Sequence, residues 1–148
     1  MWRRLAAVMT LLPAALDTQL QREAELTHFA YWVLVSLSEA PGRAVRMSEL
    51  AQAANGSQSR LSHMIARLEH RGWIRRQRAG DDGRGTVAVL TDAGFAKLAE
   101  TAPGHVDLVR SLVFDRLTPA QTAALGEVCA ALVESLAAYQ TYGQPEES

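Results

Sequence analysis

Ser57-Gln58-Ser59-Arg60-Leu61-Ser62-His63-Met64-Ile65-Ala66-Arg67-Leu68-Glu69-His70-Arg71-Gly72-Trp73-Ile74 is the stretch whose reading decides the fold. At about 100° per residue, a helix over this stretch places Leu61, Met64, Ile65 and Leu68 on one face. Ser59, Arg60, Ser62, His63 and Arg67 fall outside that face, with no acid and no bulky apolar group among them. Ser57 suits the N-cap position, and Gly72 is a stop signal.

Moving outward, Met47 to Ala54 has the spacing of a short helix with Met47, Leu50 and Ala51 on its buried face. Asn55-Gly56 then breaks the chain. On the other side, Trp73–Arg78 and Thr86–Leu90 read as two strands. Between them, Ala79-Gly80-Asp81-Asp82-Gly83-Arg84-Gly85 carries three glycines and reads as a hairpin loop. A short helix, a tight turn, a polar-faced helix and a basic hairpin together form the layout of a winged helix-turn-helix. Such a second helix enters the major groove, where donors and small side chains suit phosphates and base edges. An arginine at the hairpin tip, here Arg84, suits a narrow minor groove. Arg75, Arg76 and Arg78 alternate along a strand, so they cannot all face one way. One or two are expected to serve phosphate and another to pair with an acid.

Charge is distributed accordingly. The 148-residue chain has a net charge of −1, which gives no whole-molecule argument for nucleic acid. From Arg60 to Arg84, however, seven arginines face three acids (Glu69, Asp81 and Asp82), a local charge of +4 against −5 elsewhere. A basic island in an acidic protein is the footprint of local phosphate contact; its plain alternative is a solvated arginine-rich face. Cys129 is the single cysteine, so no disulfide framework forms within the chain, and a reducing, cytoplasmic setting is expected. The four histidines make no short metal-ligand motif, and neither a metal nor a cofactor is expected. Asp81 and Asp82 fit turn chemistry and an Asp–Arg pair better than catalysis. No nucleophile–base arrangement is visible, so no enzyme is expected.

The flanks are helical. Trp2 to Glu23 keeps Leu5, Val8, Leu12, Leu16 and Leu20 at helical spacing, with a kink expected at Pro13. That pattern continues past any cleavage point, so an amphipathic helix explains it better than an export signal; the apolar run is also too short and interrupted to span a bilayer. Thr27 to Glu39 is strongly apolar and ends at Pro41-Gly42. A helix begins at Asp92 behind Thr91, with a disturbance expected at Pro103-Gly104. Thr118-Pro119-Ala120-Gln121 is the clearest helix start, followed by the stripe Leu125, Val128, Leu132, Val133 and Leu136. Cys129 lies on that apolar side and is expected to be a buried structural thiol rather than a redox sensor. The terminal helices carry more apolar stripe than a small core needs, which points to a homodimer.

Met47-Ser48-Glu49-Leu50-Ala51, Ser57-Gln58-Ser59-Arg60-Leu61-Ser62, Leu68-Glu69-His70-Arg71-Gly72-Trp73-Ile74, Asp82-Gly83-Arg84-Gly85 and Val89-Leu90-Thr91-Asp92-Ala93-Gly94 together resemble the MarR family of bacterial regulators. The resemblance covers nearly the whole chain. It implies a mainly α fold with a small β-hairpin, a winged helix-turn-helix flanked by N- and C-terminal dimerisation helices. It implies a single domain over residues 1–148, with dimerisation helices at about 1–23 and 103–142 and a DNA-binding lobe at about 44–91. It also implies a wing arginine, Arg84, oriented by Asp82. The expected DNA-contacting set is Ser57, Gln58, Ser59, Arg60, Ser62, His63, Arg67, Arg76, Asp82 and Arg84. The expected partner is a pseudo-palindromic operator in double-stranded DNA, bound by a homodimeric repressor. Many such regulators are released by small aromatic or anionic effectors, and His28, Tyr31 and His105 are the candidate effector residues. The competing reading is a winged-helix module that binds protein; it does not need an arginine island on this face.

Overall fold

The computed structural model describes residues 1–53, 58–78 and 85–142. The chain divides into two compact units, residues 1–106 and 107–148.

In the first unit, α1 (Trp2–Ala24) runs through Pro13 as one helix. It ends where Glu25 turns left-handed at φ 56°, ψ 31°, and the Leu26 N–H donates to the Leu20 carbonyl at 3.2 Å. This closure satisfies orphan carbonyls and folds Leu26 into the core beside Leu20. The Thr27 hydroxyl then caps α2 (His28–Glu39) by accepting from the Ala30 N–H at 3.1 Å. Val33, Leu34 and Leu37 are fully buried, which explains why α2 reads as apolar nearly all round.

A turn of 3-10 helix at Pro41–Arg43 leads into β1 (Ala44–Arg46), then α3 (Met47–Ala53) and α4 (Gln58–His70). The hairpin strands are β2 (Ile74–Arg78) and β3 (Thr86–Leu90). The sequence pattern predicts only these two; the structure adds β1, in a three-stranded antiparallel sheet of order β1-β3-β2. β1 pairs Ala44 with Val89 and Arg46 with Val87. Three residues are too few to show a period of two, and the partner strand lies far downstream.

The α4–β2 junction is closed by Gly72 at φ 73°, with Gly72 N–H donating to the Glu69 carbonyl at 2.9 Å and Trp73 N–H to that of Leu68 at 3.0 Å. This Schellman closure needs a left-handed residue after the helix, a conformation glycine adopts without a Cβ penalty. α5 (Asp92–Leu112) starts behind Thr91, whose hydroxyl donates to the Gly72 carbonyl at 2.7 Å and accepts from the Gly94 N–H at 3.0 Å. A Cβ on Gly94 would stand 2.1 Å from the Trp73 carbonyl oxygen, so the helix packs this closely on the turn only with glycine there.

The disturbance expected at Pro103-Gly104 is absent: α5 continues through both residues. Local chemistry is overridden by packing, because Thr101 is buried and the Gln19 and Glu23 side chains of α1 lie against Gly104.

In the second unit, the end of α5 and a 3-10 turn at Phe114–Arg116 precede α6 (Pro119–Tyr142). The capping box is reciprocal. Gln121 Oε1 accepts from the Thr118 N–H at 2.9 Å, and the Thr118 hydroxyl accepts from the Gln121 N–H at 3.3 Å. The stripe is present but bare: Val128, Val133 and Leu136 are 54%, 66% and 62% exposed. Cys129, expected to be buried, is exposed with it, because it lies on the same face of the helix as the stripe.

Candidate nucleic-acid interface

α4 carries the arrangement that its periodicity predicts. Leu61, Ile65 and Leu68 are buried, while Ser59, Arg60, His63 and Arg67 are exposed and Ser62 is half-buried at the edge. Burying three aliphatic side chains contributes about 1.5–3 kcal/mol each, so this helix has one stable rotational setting and one polar face outward. Gln58 opens the helix. Ser57, Asp82 and Arg84 lie outside the described residues.

The sheet sorts the arginines. Ile74 pairs with Leu90 and Arg76 with Ala88, so Arg76 and Arg78 share the face of buried Ile74, Ala88 and Leu90. Arg75 takes the other face, where its guanidinium donates to Gln77 Oε1 at 2.6 Å. Among the described residues, Arg76 is the one of the three that pairs with an acid. Its backbone N–H and its Nε donate to the Glu69 carboxylate at 3.0 and 2.8 Å, and its Nη2 lies 2.6 Å from the same group. The Arg76 side-chain hydrogen bond, followed by the backbone one, holds the Glu69 carboxyl below its ordinary range. Arg71 is also committed to structure. It donates to the Glu25 carbonyl at 3.1 Å and lies over the Trp73 ring at 5.0 Å.

Between α4 and the sheet is a cleft of about 350 Å³ lined by Arg46, Met47, Ser48, Ser62, Arg76, Gly85 and Thr86. Among the described residues, only Met47 brings a large apolar side chain to it. Arg46, Ser48 and Thr86 were missed by sequence reasoning. A cation next to the first helix of a helix-turn-helix was the available signal, but β1 was needed to bring it to the hairpin.

The three candidate effector residues come together elsewhere in the first unit. The His105 ring lies 4.4 Å from that of Tyr31 and 6.0 Å from that of His28. Burial first, and the neighbouring His28 second, lower the His105 pKa; burial raises that of Tyr31. His105 Nδ1 and Gln19 Oε1 are buried without a hydrogen-bond partner among the described residues. Among those residues no group of three or more metal-ligating side chains is placed to hold a metal ion.

The MarR family model matches residues 26–86. The chain is similar to Sco3205, a MarR family transcriptional regulator from Streptomyces coelicolor solved in complex with DNA. The two are 50% identical with a TM-score of 0.86, over 99% of this chain and 88% of that one. AbsC, a MarR family transcriptional regulator from the same organism, is 39% identical with a TM-score of 0.85, over 93% of this chain and 92% of its own. Transcriptional regulator HosA of Escherichia coli is 33% identical over 79 residues, covering 53% of this chain and 57% of HosA. The matching stretch thus spans little more than half the length of that curated relative.

Proposed function

The chain belongs to the MarR family of transcriptional regulators, and on that premise we propose that it binds operator DNA as a homodimer and represses transcription in the bacterial cytoplasm. The observation that carries this reading is the exposed face of α4. It presents Ser59, Arg60, His63 and Arg67 together, held outward by buried Leu61, Ile65 and Leu68. In this reading Ser57, Gln58, Ser59, Arg60, Ser62, His63 and Arg67 meet the major groove. Asp82 and Arg84 serve the wing, and Arg76 braces the hairpin while lining the cleft beside it. No catalytic residue is assigned.

The dimer reading is supported by the bare stripe of α6 and by exposed Trp2, Val8, Met9 and Leu11 on α1. α6 is apolar and long enough by composition to cross a membrane, with a mean hydropathy of 1.3 over Pro119–Tyr139. Glu127 and Glu134 lie opposite the stripe, however, and a charged carboxylate at mid-bilayer costs roughly 2.5–3.5 kcal/mol. A second copy of the chain covers the stripe and leaves both glutamates in water. Effector release is assigned to the His28–Tyr31–His105 cluster, where the buried His105 Nδ1 leaves a hydrogen bond for a planar ligand.

A gel-shift titration against the promoter region beside the protein's own gene tests the proposal. A retarded complex that survives non-specific competitor supports it. Absence of any complex at low salt would favour the protein-binding module instead.

A further inference from the structure

Groove geometry gives the cleft between α4 and the sheet an occupant. A helix in the major groove and a hairpin in the adjacent minor groove straddle one sugar-phosphate strand, because that strand is what separates the two grooves. The strand carries one negative charge per roughly 3.4 Å. Whatever lines the space between helix and hairpin therefore has to supply donors, or strip water from a phosphate without replacing it.

We propose that this cleft seats the straddled strand, and that Arg46 of β1 is a phosphate-contacting residue of the protein; this rests on the DNA-binding reading above. Arg46 and Arg76 line the cleft with the hydroxyl-bearing residues Ser48, Ser62 and Thr86. These residue types are the usual ones that contact phosphate oxygens. Arg76 is oriented by Glu69. Arg46 lies towards the loop end of the hairpin strands, opposite Val87, and a Cβ on Gly85 would lie 3.5 Å from its Nη1. The pleat puts Arg46, opposite Val87, on the other face of the sheet from Arg76, opposite Ala88. Arg46 is the last residue of its strand, so the two arginines come to the cleft from different elements. A small aromatic molecule is a poor fit, since among the described residues Met47 is the only large apolar side chain in the lining.

The test compares the native protein with Arg46→Ala and Arg46→Lys, with circular dichroism as a folding control. Each is titrated on one operator duplex and its single mismatches at several salt concentrations. Each is also titrated on duplexes in which single phosphates are replaced by neutral methylphosphonates. The expected result is that Arg46→Ala binds roughly tenfold more weakly on cognate and mismatched duplexes alike, and that Arg46→Lys recovers most of the loss. The log–log salt slope of Arg46→Ala should fall by about one unit per bound subunit. One methylphosphonate position per half-site should weaken the native protein but not weaken Arg46→Ala further. If Arg46→Ala does not fold, the same scan with Arg46→Gln gives the readout. An unchanged salt slope, or methylphosphonate penalties identical in native and variant at every position, overturns the strand seat and leaves DNA binding standing. Failure of the native protein to bind any duplex overturns both.

Discussion

Glu69, one residue from the end of α4, grips Arg76 of β2 through both backbone and side chain: the Arg76 N–H at 3.0 Å, Nε at 2.8 Å and Nη2 at 2.6 Å all meet its carboxylate. One acid thus ties the helix proposed for the major groove to the hairpin proposed for the wing. The two side chains are a third and two-fifths exposed, so solvent screens the pair. Its value lies more in setting an angle than in stability.

Glu69→Gln should therefore cost about 1 kcal/mol of folding stability or less, measured by urea denaturation. Its larger effect should be on operator affinity, because Arg76 and the hairpin lose their fixed relation to α4. A variant that binds DNA as tightly as the native protein would show that the contact does not position anything.

Arg60→Ala should lower operator affinity by roughly 1–3 kcal/mol if the side chain reads a guanine, and relax preference at one base pair per half-site. Binding titrations on single-mismatch duplexes check this. Equal weakening on every duplex would make Arg60 a phosphate contact. Arg84→Ala, in contrast, should weaken binding across many sequences, with a bias towards A·T content through groove width.

Leu136→Glu in α6 should shift the protein from dimer to monomer in light scattering and abolish operator binding at the same concentration. A carboxylate in a covered apolar interface has no partner, and its desolvation opposes association. If the protein stays a dimer with Glu127, Glu134 and a third acid on this helix, the α6 stripe is not the interface.

Stability should decline as pH falls below about 6.5, the ordinary histidine value. Burial and the neighbouring His28 lower the His105 pKa in the fold, so the unfolded chain takes up the proton first. Where the unfolded state binds more protons, stability rises with pH and is lost on acidification. Urea midpoints measured from pH 7.5 to 5 should show this slope, and His105→Phe should flatten it. An equal slope in that variant would place the titration at another group.

Gly94→Ala should destabilise the fold by about 1–3 kcal/mol, read as a lower urea midpoint, because its methyl group would collide with the Trp73 backbone. Gly126→Ala is the control. A Cβ there meets nothing within 4 Å, so that variant should leave the midpoint unchanged or raise it.

What the amino-acid sequence determined by itself was local. Thr91 and the Thr118–Gln121 box announce helix starts, since each cap bonds to a backbone N–H three residues away. Gly72 announces a stop, and the Leu61–Ile65–Leu68 spacing orients α4, because both features depend only on helical geometry. What the tertiary structure decided was pairing between distant residues. β1 exists because Ala44 meets Val89, and Arg46 reaches the cleft only as a result. α5 runs through Pro103 and Gly104 because α1 packs there. Of the adjacent arginines, Arg76 went to Glu69 and Arg75 to Gln77 because the strand's pleat turned them to opposite faces. Burial and partnership are properties of the packed chain, and a neighbour-by-neighbour reading contains neither.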